Sequence, residues 1–112
     1  MISFESDYNN GAHPKVLQHI IDTNNTNSKS YGYDDWSENA KKKIKQACNC
    51  PEADIYFLPG GTQTNATVID AILASYEGVI AAETAHINVH ESGAIEAYGH
   101  KILTLPSHDG KI

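Results

Sequence analysis

From Pro51 onward this chain alternates short apolar runs with helix-like ones, an order that predicts an α/β fold in which a sheet is covered by helices. Two further features agree. The polar clusters that carry chemistry fall where strands turn into helices, the edge at which α/β sheets bind ligands. At 112 residues the chain is also long enough for one domain with a core of its own. Three strands with their helices would leave open sheet edges, so the layer is expected to be incomplete.

Taken in order, residues 1–13 read as an N-terminal arm, polar and turn-rich around Asn9-Asn10-Gly11, and residues 14–112 as the domain proper. Pro14 suits the first turn of a helix. Val16, Leu17, Ile20 and Ile21 follow at helical spacing, giving one apolar stripe up to Asn24. Residues 24–30 are polar groups that compete for local backbone bonds, hence a loop. Asp34 or Asp35 caps a second helix, with Lys41, Lys42, Lys43 and Lys45 toward solvent and Ala40, Ile44 and Ala47 inward; Pro51 marks its end. Acidic residues at its start and lysines beyond also suit the helix dipole. Strands are then expected over 55–58, 79–82 and 101–105. Between them lie helices over 62–75 and 93–98 and a polar helix start over 84–91. Residues 107–110 form a turn.

Composition narrows the functional classes. Hydrophobic residues make up 40% and charged residues 20%, in the range of soluble globular chains, and no apolar run is long enough to span a membrane. Fourteen acidic residues against eight basic give a net charge of −6, which disfavours nucleic acid and anionic membrane as partners. Residues 1–7 lack the basic-then-apolar order of a leader, so a cytoplasmic location is expected. Cys48 and Cys50 are too close for the usual zinc or redox pair and are read as reduced and structural.

Chemistry concentrates in two places. The run Gly60-Gly61-Thr62-Gln63-Thr64-Asn65 opens a helix after a strand, where glycines permit a tight turn, threonines can cap, and free first-turn amides with the helix dipole favour an anion. It is neither a Walker loop, which needs Lys after its glycines, nor a dinucleotide fingerprint, which needs three spaced glycines. A monophosphate site and a plain capped turn both remain open. In the second cluster, His86 and His90 are four residues apart and Glu91 follows. The zincin orders place Glu elsewhere, where this chain has Ile87 and Val89. A metal pair, a structural histidine and an imidazole set against a planar cofactor remain open, and Thr62 and His86 are expected to face one cleft.

Residues 57–65 together with residues 85–94 closely resemble the threonine aldolases of the aromatic amino acid β-eliminating lyase group. The likeness extends to Phe4-Glu5-Ser6-Asp7-Tyr8, Gly11-Ala12-His13-Pro14-Lys15, Tyr31-Gly32-Tyr33-Asp34-Asp35 and Gly99-His100-Lys101. It implies the start of the large domain of a fold type I, aspartate aminotransferase-like enzyme that uses pyridoxal 5'-phosphate. On that resemblance Gly61, Thr62 and Gln63 hold the cofactor phosphate, His86 is the catalytic residue stacked on the pyridine ring, and Ser6 and Tyr31 bind substrate. No metal is implied. The implied reaction is retro-aldol cleavage of threonine or allo-threonine to glycine and acetaldehyde, in a homodimer or homotetramer. Tyr8 and Trp36 depart from the commoner Thr and Pro of the family, which bears on substrate preference. The Schiff-base lysine, the acid facing the pyridine nitrogen and the substrate arginine lie C-terminal of the matching segment in the family. None of Lys101, Lys111 or the Lys41 to Lys45 run stands in a matching motif, so no Schiff-base lysine can be assigned and the segment alone is expected to be inactive; it also contains no arginine. Another fold type I enzyme, such as a β-eliminating lyase or an aminotransferase, and a non-catalytic phosphate-binding module are the competing readings.

Overall fold

A computed structural model describes residues 9–112 of the protein. The chain forms two compact units, Met1–Ile55 and Tyr56–Ile112. Ser6 lies outside the described residues.

In the first unit, Pro14 opens α1 (Pro14–Thr23), as its fixed φ favours. His13 caps the helix, its Nδ1 accepting from the Lys15 amide at 3.2 Å. Asp34 caps α2 (Asp35–Ala47), accepting from the Ser37 amide at 2.8 Å and the Ser37 hydroxyl at 2.7 Å. These bonds, the amide first, hold the Asp34 carboxyl below its ordinary range. One turn on, Lys41 donates to Glu38 at 2.9 Å, lowering the carboxyl's pKa and raising that of the ammonium.

The helices match the periodicity, but the expected burial of their stripes does not occur. Neither helix has a buried residue. Val16, Leu17, Ile20 and Ile21 stay more than half exposed, and Ala47 is exposed while Ala40 and Ile44 are half-buried. Two helices and a loop supply too few layers to cover both apolar faces. Cys48 and Cys50 are free and exposed, so neither thiol supports a core.

The second unit holds the sheet and the core. It contains α3 (Gly61–Ile72), β1 (Gly78–Ala82), the single turns α4 (His86–Val89) and α5 (Ala94–Ala97), and β2 (Lys101–Leu105). The two strands pair in parallel with Gly78 opposite Lys101 and Ala82 opposite Leu105, and the connection between them carries α4 and α5, as parallel pairing requires. Gly78 is needed for that pairing, since a Cβ there would lie 2.7 Å from the Lys101 carbonyl oxygen. Ala66, Ala81, Ile95 and Ile102 form the core, one from each of α3, β1, α5 and β2. Ile95 is 1% exposed, and burying such a side chain contributes roughly 1.5–3 kcal/mol.

Three expectations change here. Residues 55–58 form no strand among the described residues, and Tyr56 is 80% exposed, because a strand-like run becomes a strand only where a ladder partner exists. Helix α3 stops at Ile72 rather than residue 75, since Leu73 is extended and the Ala74 amide is captured by Glu77 Oε2 at 2.7 Å. The polar start over 84–91 contracts to the single turn α4. Among the described residues, no helix is long and apolar enough to cross a membrane.

Candidate active site

The first turn of α3 begins at Gly60, which serves as N-cap with φ −168 and ψ 160 and supplies no side-chain cap. That backbone is extended and open to any residue, so the turn itself does not demand glycine, contrary to the reading from sequence. Nor do neighbours demand it: a Cβ on Gly60 or Gly61 would meet nothing within 4 Å. The threonines do not cap either, since the Thr64 hydroxyl donates back to the Gly60 carbonyl at 2.9 Å. What remains at this end is a set of first-turn amides at the positive pole of a three-turn helix, with open space in front of two residues that lack side chains. An anion such as a phosphate fits that donor set.

His86 opens α4 just beyond the end of β1. Its side chain is 68% exposed, yet its Nδ1 lies 2.8 Å from Oε1 of Glu91, whose side chain has no exposed surface. The same Oε1 accepts from Asn65 Nδ2 at 2.7 Å. Asn65 belongs to the first turns of α3, three residues after Thr62. A buried carboxylate therefore ties the proposed anion end of α3 to the imidazole of α4, within one unit. An imidazole with one nitrogen anchored and most of its surface open can serve as a platform for a flat ligand. The His90 ring lies beside it, centroids 5.3 Å apart and planes tilted by 53°. Among the described residues, no three His, Cys, Asp or Glu side chains gather as a metal site.

Gly61, Thr62 and Gln63 open α3, which is tied to His86 through Asn65 and Glu91 within the second unit. Tyr31 belongs to the first unit, 97% exposed and in the left-handed region at φ 61. Sequence reading passed over Asn65 and Glu91 as site residues. Both stand inside the quoted motifs, but their pairing across 26 residues has no local signature. A second long-range tie was also missed: buried His100, just before β2, pairs through Nε2 with Asp70 of α3 at 3.0 Å and keeps its Nδ1 buried without a partner.

Two parallel strands with α3, α4 and α5, and a buried carboxylate that joins α3 to the His86 imidazole, define an α/β domain. Residues 4–112 match the beta-eliminating lyase family, and the chain belongs to it. It is 31% identical over 111 residues to the low specificity L-threonine aldolases of Pseudomonas sp. (strain NCIMB 10558) and Pseudomonas aeruginosa. In each case the alignment takes in 97% of this chain and 32% of the relative. A solved structure of Leishmania major threonine aldolase superposes with a TM-score of 0.92 at 43% identity, over 96% of this chain and 31% of that one. The chain therefore spans about a third of the length of the relatives it matches, and its α/β arrangement is that of a threonine aldolase segment.

Proposed function

We propose that this chain is the cofactor-seating segment of a threonine aldolase-like lyase that uses pyridoxal 5'-phosphate, with the large-domain fold of the fold type I enzymes. The observation that supports the reading is the shared Glu91 anchor, which links Asn65 of α3 to the His86 ring. Amides of Gly61, Thr62 and Gln63 with the Thr62 hydroxyl hold the phosphate. His86 offers its ring face to the pyridine, and Ser6 and Tyr31 contact substrate. Pyridoxal phosphate, when bound, supplies the electron sink for the pair released as the substrate's Cα–Cβ bond breaks. The domain begins at residue 14 after an arm over 1–13, and the full-length protein is a cytoplasmic homodimer or homotetramer acting on β-hydroxy-α-amino acids without nucleic acid or membrane partners.

The test is to reconstitute the full-length protein with pyridoxal phosphate and supply threonine and allo-threonine. A visible absorbance band with release of glycine and acetaldehyde is expected, and the 112-residue segment alone is expected to be inactive. A band without aldol cleavage would turn the reading toward β-elimination, which the family description favours as the second possibility. No band at all would leave a phosphate-binding module.

A further inference from the structure

We infer that Glu91 is a positioning residue that fixes both the tautomer and the ring plane of His86, and through Asn65 keeps that ring in register with the start of α3. The inference rests on the reading of His86 as the cofactor-facing imidazole, and adds what holds it in that role. An Asn side chain donates only through Nδ2, so Glu91 Oε1 acts as an acceptor toward Asn65. A carboxylate is acceptor-only, so the nitrogen of His86 that meets the same oxygen at 2.8 Å must carry the hydrogen. In the neutral ring this selects the Nδ1–H form, leaving the Nε2 lone pair bare on a side chain that is 68% exposed.

The anchor is also unusually one-sided. Glu91 Oε2 is buried with no partner among the described residues, so the hydrogen-bonding compensation for this buried side chain passes through Oε1 alone. An acceptor held in that way cannot slide to its second oxygen to follow the imidazole. Asn65 and His86 consequently share one fixed point, and a change at Glu91 should disturb ring and cradle together.

The test uses the full-length protein labelled with 15N-histidine, with two-bond proton–nitrogen correlations read at about pH 8, above the ordinary histidine range. His86→Gln identifies the His86 signals. The expected result is an Nδ1–H ring in the wild type without cofactor, a switch to Nε2–H in Glu91→Leu, and retention of Nδ1–H in Glu91→Gln, which keeps the acceptor oxygen. An Nε2–H ring in the wild type, or an unchanged tautomer in Glu91→Leu, overturns the inference. Should Glu91→Leu fail to fold, the wild type and Glu91→Gln still decide it. Titration with pyridoxal phosphate then reads the positioning itself: Glu91→Leu should weaken binding about tenfold and Glu91→Gln less. Equal affinity in wild type and Glu91→Leu contradicts the coupling of ring to cradle. Absence of any cofactor band in the wild type would instead overturn the cofactor reading, leaving the tautomer result to judge Glu91.

Discussion

The two units of this chain are held in different ways. In Met1–Ile55 most of the named features are local: Pro14 at a helix start, the Asp34 cap, the Glu38–Lys41 pair one turn apart; an edge-on contact of His19 with Trp36, ring centroids 5.0 Å apart, joins α1 to α2. In Tyr56–Ile112 ties run between distant residues, and all six of the buried residues among those described, Ala66, Ala81, Glu91, Ile95, His100 and Ile102, lie there. The proposed cofactor residues sit in the second kind of structure, where a position can be fixed to a fraction of an ångström by packing rather than by helix propensity.

If that contrast is right, equivalent truncations should differ sharply between the units. Ile95→Ala should cost about 2–5 kcal/mol in denaturant unfolding of the chain, whereas Ile20→Ala on the exposed stripe of α1 should stay within about 0.5 kcal/mol. Comparable losses at both sites would break the comparison. Glycines sharpen it within the second unit. Gly78→Ala should destabilise by about 1–3 kcal/mol because its Cβ meets the Lys101 carbonyl oxygen, while Gly61→Ala should leave folding intact and weaken pyridoxal phosphate binding. A Gly61→Ala protein that unfolds more easily would mean that the fold, not a ligand, requires that glycine.

Asp70→Ala strips the partner from buried His100 and should cost about 1–3 kcal/mol, against no measurable change for Lys41→Ala in the exposed pair. The smallest effect is a pH response confined to α2. Asp34 has its carboxyl pKa lowered by the Ser37 amide and hydroxyl. Its contribution is therefore fully present above the ordinary carboxylate value and is lost as pH falls through the depressed one. The Ser37 amide shift in NMR should titrate with a midpoint below the ordinary Asp range; a midpoint at or above it would remove the cap from the account.

What could be read beforehand follows the same division. Helices α1 and α2 and the two paired strands were legible because period, proline and capping residues are properties of neighbouring positions. Burial of the α1 and α2 stripes was not, since amphipathicity says which face is apolar and nothing about what covers it. Residues 55–58 have strand composition, but pairing needs a partner that composition does not reveal. The two motifs contain Gly61, Thr62 and His86, the residues proposed to seat the cofactor, and also the Asn65 and Glu91 that join α3 to α4. Glu91 and Asn65 escaped because their meeting depends on how α3 and α4 are carried by the parallel strand pair.

The central claim is that the amides at the start of α3 and the imidazole of His86 hold one phosphorylated ring between them. Its most direct measurement is a visible-absorbance titration of the full-length protein with pyridoxal phosphate, comparing wild type with Thr62→Ala and with His86→Ala. The account predicts a cofactor band in the wild type and about tenfold or greater weakening in each variant, with folding preserved. Wild-type affinity in both variants would contradict it.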